Sequence, residues 1–234
     1  MKSQFNVVLF GATGLVGNEV LNRLQAHEAV ARIDLFARCS LKKLSDKVFT
    51  HVCDLTSVDE MASFLKESSP DLALCCLGTT MAKAGSKEAF YHVDHDLILN
   101  AAKACQKVGV KSFGVISSLG ANTGSRNFYL RVKGETERDL KTLGFEKLVI
   151  IRPSVLVGKR KENRFFEKIL VKASPLLNPL FVGSLKKYRF VSATDVAGCL
   201  VWQAFQDQKK GCVVIENQEI SKSRLFRPFI TRGG

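Results

Sequence analysis

The stretch Phe5-Asn6-Val7-Val8-Leu9-Phe10-Gly11-Ala12-Thr13-Gly14-Leu15-Val16-Gly17-Asn18-Glu19-Val20-Leu21 decides the fold. An apolar run of strand length meets three glycines at three-residue spacing, and an amphipathic pattern begins directly behind them. This is a strand, a tight turn and a helix. Glycines at such a turn let the backbone approach a pyrophosphate without an intervening Cβ, while the free N–H groups and the dipole of the helix start favour the anion. The expected cradle for a dinucleotide is Gly11, Thr13, Gly14, Leu15, Val16 and Gly17. A nucleotide-binding P-loop is excluded, because it needs Gly-Lys-Ser/Thr and Gly17 is followed by Asn18 and Glu19.

Working outward, Arg32 to Ala37 gives a second strand ending at Arg38, Val48 to Cys53 a third, and Ser57 opens a helix to about Glu67. Asp71 to Leu77 is apolar on both faces, as in strands buried within a parallel sheet. A helical pattern covers Lys87 to Lys107, Lys111 to Ser118 is a fifth strand, and a helix starts at Phe128 and runs to about Leu143. Lys147 to Ile151 is a sixth strand, Ala193 to Phe205 a helix, and Cys212 to Ile215 a last strand. Such alternation predicts an α/β fold, a doubly wound parallel sheet in a single domain over residues 1–234.

Arg38 bears on the cofactor. An acid at the second strand's tip holds the ribose 2′-OH of NAD, whereas an arginine accommodates the 2′-phosphate of NADP. The chain has Arg38 and no acid there, so NADP(H) is expected. By its position, Asp54 is either an acceptor for the adenine amino group or simply an acid flanking a helix. Tyr129 and Lys133, four apart, share one helical face, and Ser118 leaves the C-terminal end of the fifth strand, where open α/β sheets bind ligands. His92 and His95 lie among Asp94 and Asp96, but no third and fourth metal ligand accompanies them, and no metal is expected.

These residues together resemble the short-chain dehydrogenase/reductase superfamily. Its marks here are Gly11-x-Thr13-Gly14-x-x-Gly17, Gly78-Thr79, Ser117-Ser118, Tyr129-x-x-x-Lys133 and Arg152-Pro153-Ser154. Within it, Cys76-Leu77-Gly78-Thr79-Thr80, Val93-Asp94-x-Asp96 and Tyr129-Leu130-x-Val132-Lys133-Gly134-Glu135 are similar to the atypical Tat-interacting oxidoreductase-like group, over roughly residues 5 to 205. Asp94 departs from the pattern of many extended members, which place an asparagine there. The resemblance implies a Rossmann-like fold, with Leu55, Leu77, Gly78, Thr79, Pro153 and Val155 at the cofactor and Lys133 on the nicotinamide ribose. It also implies Tyr129 as acid–base, and Ser118 (or Ser117, since alternate strand residues face opposite ways) on the substrate oxygen. A cation beside a phenol eases its ionisation, which gives Lys133 a second role. The stretch 159–190, dense in apolar residues, is the expected substrate lid, with a membrane-touching patch or a subunit contact as alternatives.

The expected function is an NADP(H)-dependent oxidoreductase moving a hydride to or from a small carbonyl or alcohol. The alternative is an NADP(H)-sensing regulator that binds a protein partner without turnover. A net charge of +13 would attract anions, yet the basic residues are scattered and form no nucleic-acid module. Seven cysteines without a Cys-x-x-Cys fit buried thiols in a reducing compartment. No run is long or apolar enough to span a bilayer, and Met1-Lys2-Ser3-Gln4 leads straight into the first strand, so a cytoplasmic location is expected. An oligomer is compatible with the apolar stretch, and the tail 221–234 matches no motif.

Overall fold

A computed structural model describes residues 4–39, 41, 44–154, 156–157, 189–206 and 210–220. The lid expected over 159–190 lies outside these residues except for Arg189 and Phe190, and so do Val155 and the tail 221–234. Seven strands form one all-parallel sheet: β1 Phe5–Phe10, β2 Val30–Ala37, β3 Val48–Val52, β4 Leu72–Cys75, β5 Ser112–Ile116, β6 Lys147–Arg152 and β9 Gly211–Glu216. Their order across the sheet is β3-β2-β1-β4-β5-β6-β9. A two-stranded parallel pair, β7 Leu156–Val157 and β8 Val191–Ser192, stands apart from the sheet.

The sheet is covered on both faces, because its central strands carry apolar side chains toward both. Val7 and Leu9 of β1 point with Ile33, Leu35, Leu72 and Leu74 toward helices α1 (Leu15–Ala26) and α7 (Ala193–Phe205). Val8 and Phe10 point the other way, with Phe36, Ala73, Cys75 and Phe113, toward α2 (Val58–Leu65), α5 (Leu97–Lys107) and α6 (Phe128–Thr142). The doubly wound α/β fold expected from the sequence is thus the fold observed. Sheet order reverses between β1 and β4, whose C-terminal ends open the crevice where such folds take ligands.

The helix expected over Lys87 to Lys107 is three pieces: α4 (Lys87–Tyr91), a π-helical turn His92–Asp96, and α5. A short α3 (Met81–Ala84) precedes it, and α8 (Asn217–Ile220) follows β9. Side-chain oxygens of Ser57, Thr80, Ser86, Asn127 and Ser192 cap α2, α3, α4, α6 and α7. Gly14, the N-cap of α1, has no side chain to offer, so the first-turn N–H groups of that helix are left to an external acceptor.

Candidate active site

The cradle is built on close backbone packing. Gly11, with φ of +80°, is where a Cβ would come within 2.6 Å of the Cys76 carbonyl; a Cβ on Gly17 would lie 2.1 Å from the Gly11 oxygen. Only glycine allows the turn after β1 to nest against both the end of β4 and the start of α1. Thr13 and Gly14 are exposed at its lip, Leu15 is half-buried, and Val16 is a core side chain that can offer a ligand only its backbone. A glycine-lined turn leading into a helix start without a side-chain cap has the chemistry to hold a dinucleotide pyrophosphate, and the residues present fit that group.

Arg38 and Cys39 follow β2 and are exposed. The Asp54 carboxylate accepts the Thr56 N–H at 3.1 Å, and its contacts with Thr56 hold its pKa below the ordinary value. Leu55 beside it is buried, and its carbonyl faces Asn100 Nδ2 at 3.4 Å. Leu77, Gly78 and Thr79 form the loop leaving β4, with Gly78 exposed.

Beneath Gly78 lies Lys133. A Cβ on Gly78 would stand 3.9 Å from Lys133 Nζ and 3.3 Å from Asp94 Oδ1. The lysine is buried, and its Nζ lies 2.8 Å from Asp94 Oδ1. Burial draws the Lys133 pKa down, but the Asp94 carboxylate, Tyr129 and Cys75 more than offset that and hold it above the usual lysine range. Tyr129, one turn earlier on α6, is half-buried with its ring 5.5 Å from that of Phe90. Gly134 lets α6 press on the preceding loop, since a Cβ there would meet the Asn122 carbonyl carbon at 2.3 Å.

The two serines after β5 part company. Ser117 is buried and its hydroxyl donates to Glu137 Oε1 at 2.5 Å, which commits it to the packing of α6. Ser118 is half-buried, and its hydroxyl has only a 3.4 Å contact with the Leu119 carbonyl. The loop that carries it is held by Leu119 N–H donating to the Pro153 carbonyl at 2.9 Å. Pro153 is itself buried, and the Ser154 N–H after it donates to Asn217 Oδ1 at 2.8 Å.

The sequence did not single out Asn217, Glu137 or Asp94's role as a partner of Lys133. For Asp94 a signal existed: Phe90, Asp94 and Ile98 recur at four-residue spacing, which puts an acid on the inward face of a helix. His95 faces Asp96 Oδ1 at 2.8 Å and Asp139 Oδ2 at 3.0 Å, tying the π turn to α6.

A profile of the NAD dependent epimerase/dehydratase family matches residues 7–215. The mitochondrial protein fmp52 of Emericella nidulans is 42% identical over 168 residues, 70% of this chain and 72% of the relative. That of Meyerozyma guilliermondii is 31% identical over 92% of this chain and 94% of the relative. Both are named mitochondrial, which overturns the cytoplasmic location expected from the sequence. A mitochondrial address needs no bilayer-spanning run and no secretory leader, the two features that expectation relied on. Among solved structures, the UDP-glucose 4-epimerase of Thermotoga maritima with UDP-glucose superposes with a TM-score of 0.67 at 14% identity, covering 97% of this chain and 84% of that one. The UDP-glucose 4-epimerase of Thermus thermophilus, in complex with NAD, gives 0.66 at 15% identity, covering 93% and 81%. These two likenesses concern the fold. With the sheet, the glycine turn and the profile match over most of its length, the chain belongs to the NAD dependent epimerase/dehydratase family.

Proposed function

We propose that the protein is an NADP(H)-dependent oxidoreductase acting on a small carbonyl or alcohol, of the Tat-interacting oxidoreductase-like kind, in the mitochondrion. The observation that carries this reading is the buried Lys133 ammonium directly beneath the exposed Gly78 backbone, with Tyr129 one helical turn away. The Asp94 carboxylate 2.8 Å away offsets the burial of that ammonium, and Gly78 beside it carries no side chain that would keep a ribose away.

In this reading Gly11, Thr13, Gly14, Leu15, Val16 and Gly17 seat the diphosphate, Arg38 the 2′-phosphate, and Asp54 and Leu55 flank the adenine. Leu77, Gly78, Thr79 and Pro153 border the nicotinamide half, with Lys133 on its ribose. When bound, the cofactor supplies the hydride for carbonyl reduction. Tyr129 gives its phenolic proton to the oxygen that becomes the alcohol, and takes it back in the reverse direction. Ser118 donates a hydrogen bond to that oxygen as negative charge gathers on it. Lys133 stabilises the phenolate left on Tyr129.

Thermal unfolding with NADPH or NADH, followed by NADPH oxidation against a panel of small aldehydes and ketones, tests this. A ligand that binds the folded state raises the midpoint by mass action, so NADPH should raise it more. Tyr129→Phe should keep the shift and lose turnover. A larger NADH shift removes the role of Arg38, and undiminished turnover in the variant removes that of Tyr129. Binding without turnover on any carbonyl returns the protein to a cofactor-sensing regulator.

A further inference from the structure

Asp94 sits where a helix would place an apolar residue, between the fully buried Phe90 and Ile98, and is itself 1% exposed. An acid there has to be compensated, and its two oxygens are divided between two different elements. Oδ2 accepts the Thr79 N–H at 2.8 Å, from the loop leaving β4, and Oδ1 faces Lys133 Nζ at 2.8 Å, from α6. We propose that Asp94 is a positioning residue of the site: it holds the Lys133 ammonium and the Gly78-Thr79 backbone in one fixed relation, so that together they receive the ribose on the nicotinamide side. The inference rests on the dinucleotide reading given above.

Three features support it. The π turn His92–Asp96 adds a residue to one turn of helix, and the turn is fastened to α6 at Asp94 and at His95. Thr136 Oγ1 lies 2.9 Å from the Asp94 carbonyl, and His95 Nε2 lies 3.0 Å from Asp139 Oδ2. The carboxylate is therefore held by its own backbone. Second, an asparagine could not do the same work. It has one acceptor oxygen, which the Thr79 N–H would claim, and its NH₂ would then face an ammonium, donor against donor. Third, Lys133 has three N–H donors and a long flexible stem. The 2.8 Å ion contact with Asp94 restrains that stem and keeps Nζ beside Gly78, 3.9 Å from where a Cβ on that glycine would stand.

Asp94→Asn thus cuts the Lys133 tether and keeps the Thr79 anchor. The expected result is about tenfold weaker NADPH binding, the scale of one hydrogen bond to a charged group. Binding of adenosine 2′,5′-bisphosphate, which lacks the nicotinamide half and does not reach Lys133, should stay unchanged. Lys133→Met should weaken NADPH similarly, and the double variant no more than Lys133→Met alone. Equal weakening of both nucleotides, multiplying effects in the double variant, or full-strength NADPH binding by Asp94→Asn overturns the proposal. Should Asp94→Asn fail to fold, a crystal structure of the wild-type protein with NADPH decides. Lys133 Nζ at hydrogen-bond distance from both Asp94 and the ribose supports the assignment, and a Lys133 swung clear of Asp94 overturns it. If the wild-type protein binds neither NADPH nor NADH, the dinucleotide reading itself falls and takes this inference with it.

Discussion

Arg152 grips Glu137 with two prongs, Nε to Oε1 at 2.9 Å and Nη2 to Oε2 at 2.6 Å, and so fixes α6 to the end of β6. Ser117, just after β5, donates to the same carboxylate, and Arg152 Nη1 reaches Glu216 Oε1 of β9 at 2.9 Å. The guanidinium thus joins β6, α6 and β9. Glu137 follows Lys133 by one helical turn, so this clamp sets where the face bearing Tyr129 and Lys133 lies. Removing one partner from a buried pair leaves the other uncompensated, at a cost of about 3 kcal/mol or more. Glu137→Ala should lower the urea midpoint accordingly with an unchanged slope, and Arg152→Lys, which loses the fork, should fall between the variant and wild type. An unchanged midpoint in Glu137→Ala would remove the clamp from the account of the fold.

In the proposed reading, the serine pair separates stability from turnover. Ser117→Ala takes a hydrogen bond from a buried carboxylate and should cost about 1 to 3 kcal/mol of stability while leaving kcat close to wild type. Ser118→Ala should leave the denaturation curve in place and lower kcat about 100-fold, as loss of one donor to a developing oxyanion does. Side-by-side denaturation and kinetics check both, and the reverse pattern would move the hydrogen-bonding role to Ser117.

What was legible in the chain follows the range of the physics involved. The strands of the sheet declared themselves because burial on both faces demands uninterrupted apolar runs such as Leu72-Ala73-Leu74-Cys75. The glycine turn was legible because its steric demand is local: Gly11 and Gly17 answer to backbone atoms of that turn and of the adjoining strand end. Residues 87–107 were legible as helix but not as an interrupted one, since a single added residue barely disturbs a period of 3.6. The partners of Asp94, Glu137 and Asn217 were hidden for another reason. Thr79 and Lys133 stand 15 and 39 positions from Asp94, and Ser154 stands 63 from Asn217, so the fold makes each pair and no spacing announces it.

Asp34 sets the acid limit of the fold. It is fully buried on β2, with Arg32 Nη2 at 2.9 Å and His51 Nε2 at 2.8 Å. Burial pushes its carboxyl up, but hydrogen bonds from His51, Arg32 and Ser68 outweigh that and leave it below the ordinary value. A depressed folded pKa means the unfolded chain takes up the proton first. The stabilisation is therefore complete above the unfolded value of about 3.9 and drains away as pH falls below it. Asp34→Asn should be less stable than wild type at pH 7 by about 2 to 3 kcal/mol, the lower end for a buried pair because Arg32 keeps part of its side chain in water. The gap should narrow between pH 5 and pH 3. Urea midpoints at pH 7, 5 and 3.5 check this, and a gap constant across that range would show that the charge of Asp34 is not what stabilises β2 against β3.

In the proposed reading, cofactor choice turns on Arg38. It follows β2 directly and is exposed, at the end of the strand that pairs with β1. A guanidinium on a phosphate makes a charge-assisted hydrogen bond of about 1.5 to 3 kcal/mol, equivalent to about 10- to 150-fold in affinity. NADH has a hydroxyl at that position and forfeits most of this gain. Arg38→Ala should therefore weaken NADPH by that factor, leave NADH within about twofold, and flatten the salt dependence expected of NADPH binding to the wild type. Titrations of both nucleotides at low and moderate ionic strength check it. A variant that loses NADH and NADPH equally would place Arg38 on the shared diphosphate or adenosine, and any preference for the phosphorylated cofactor would have to come from another cation.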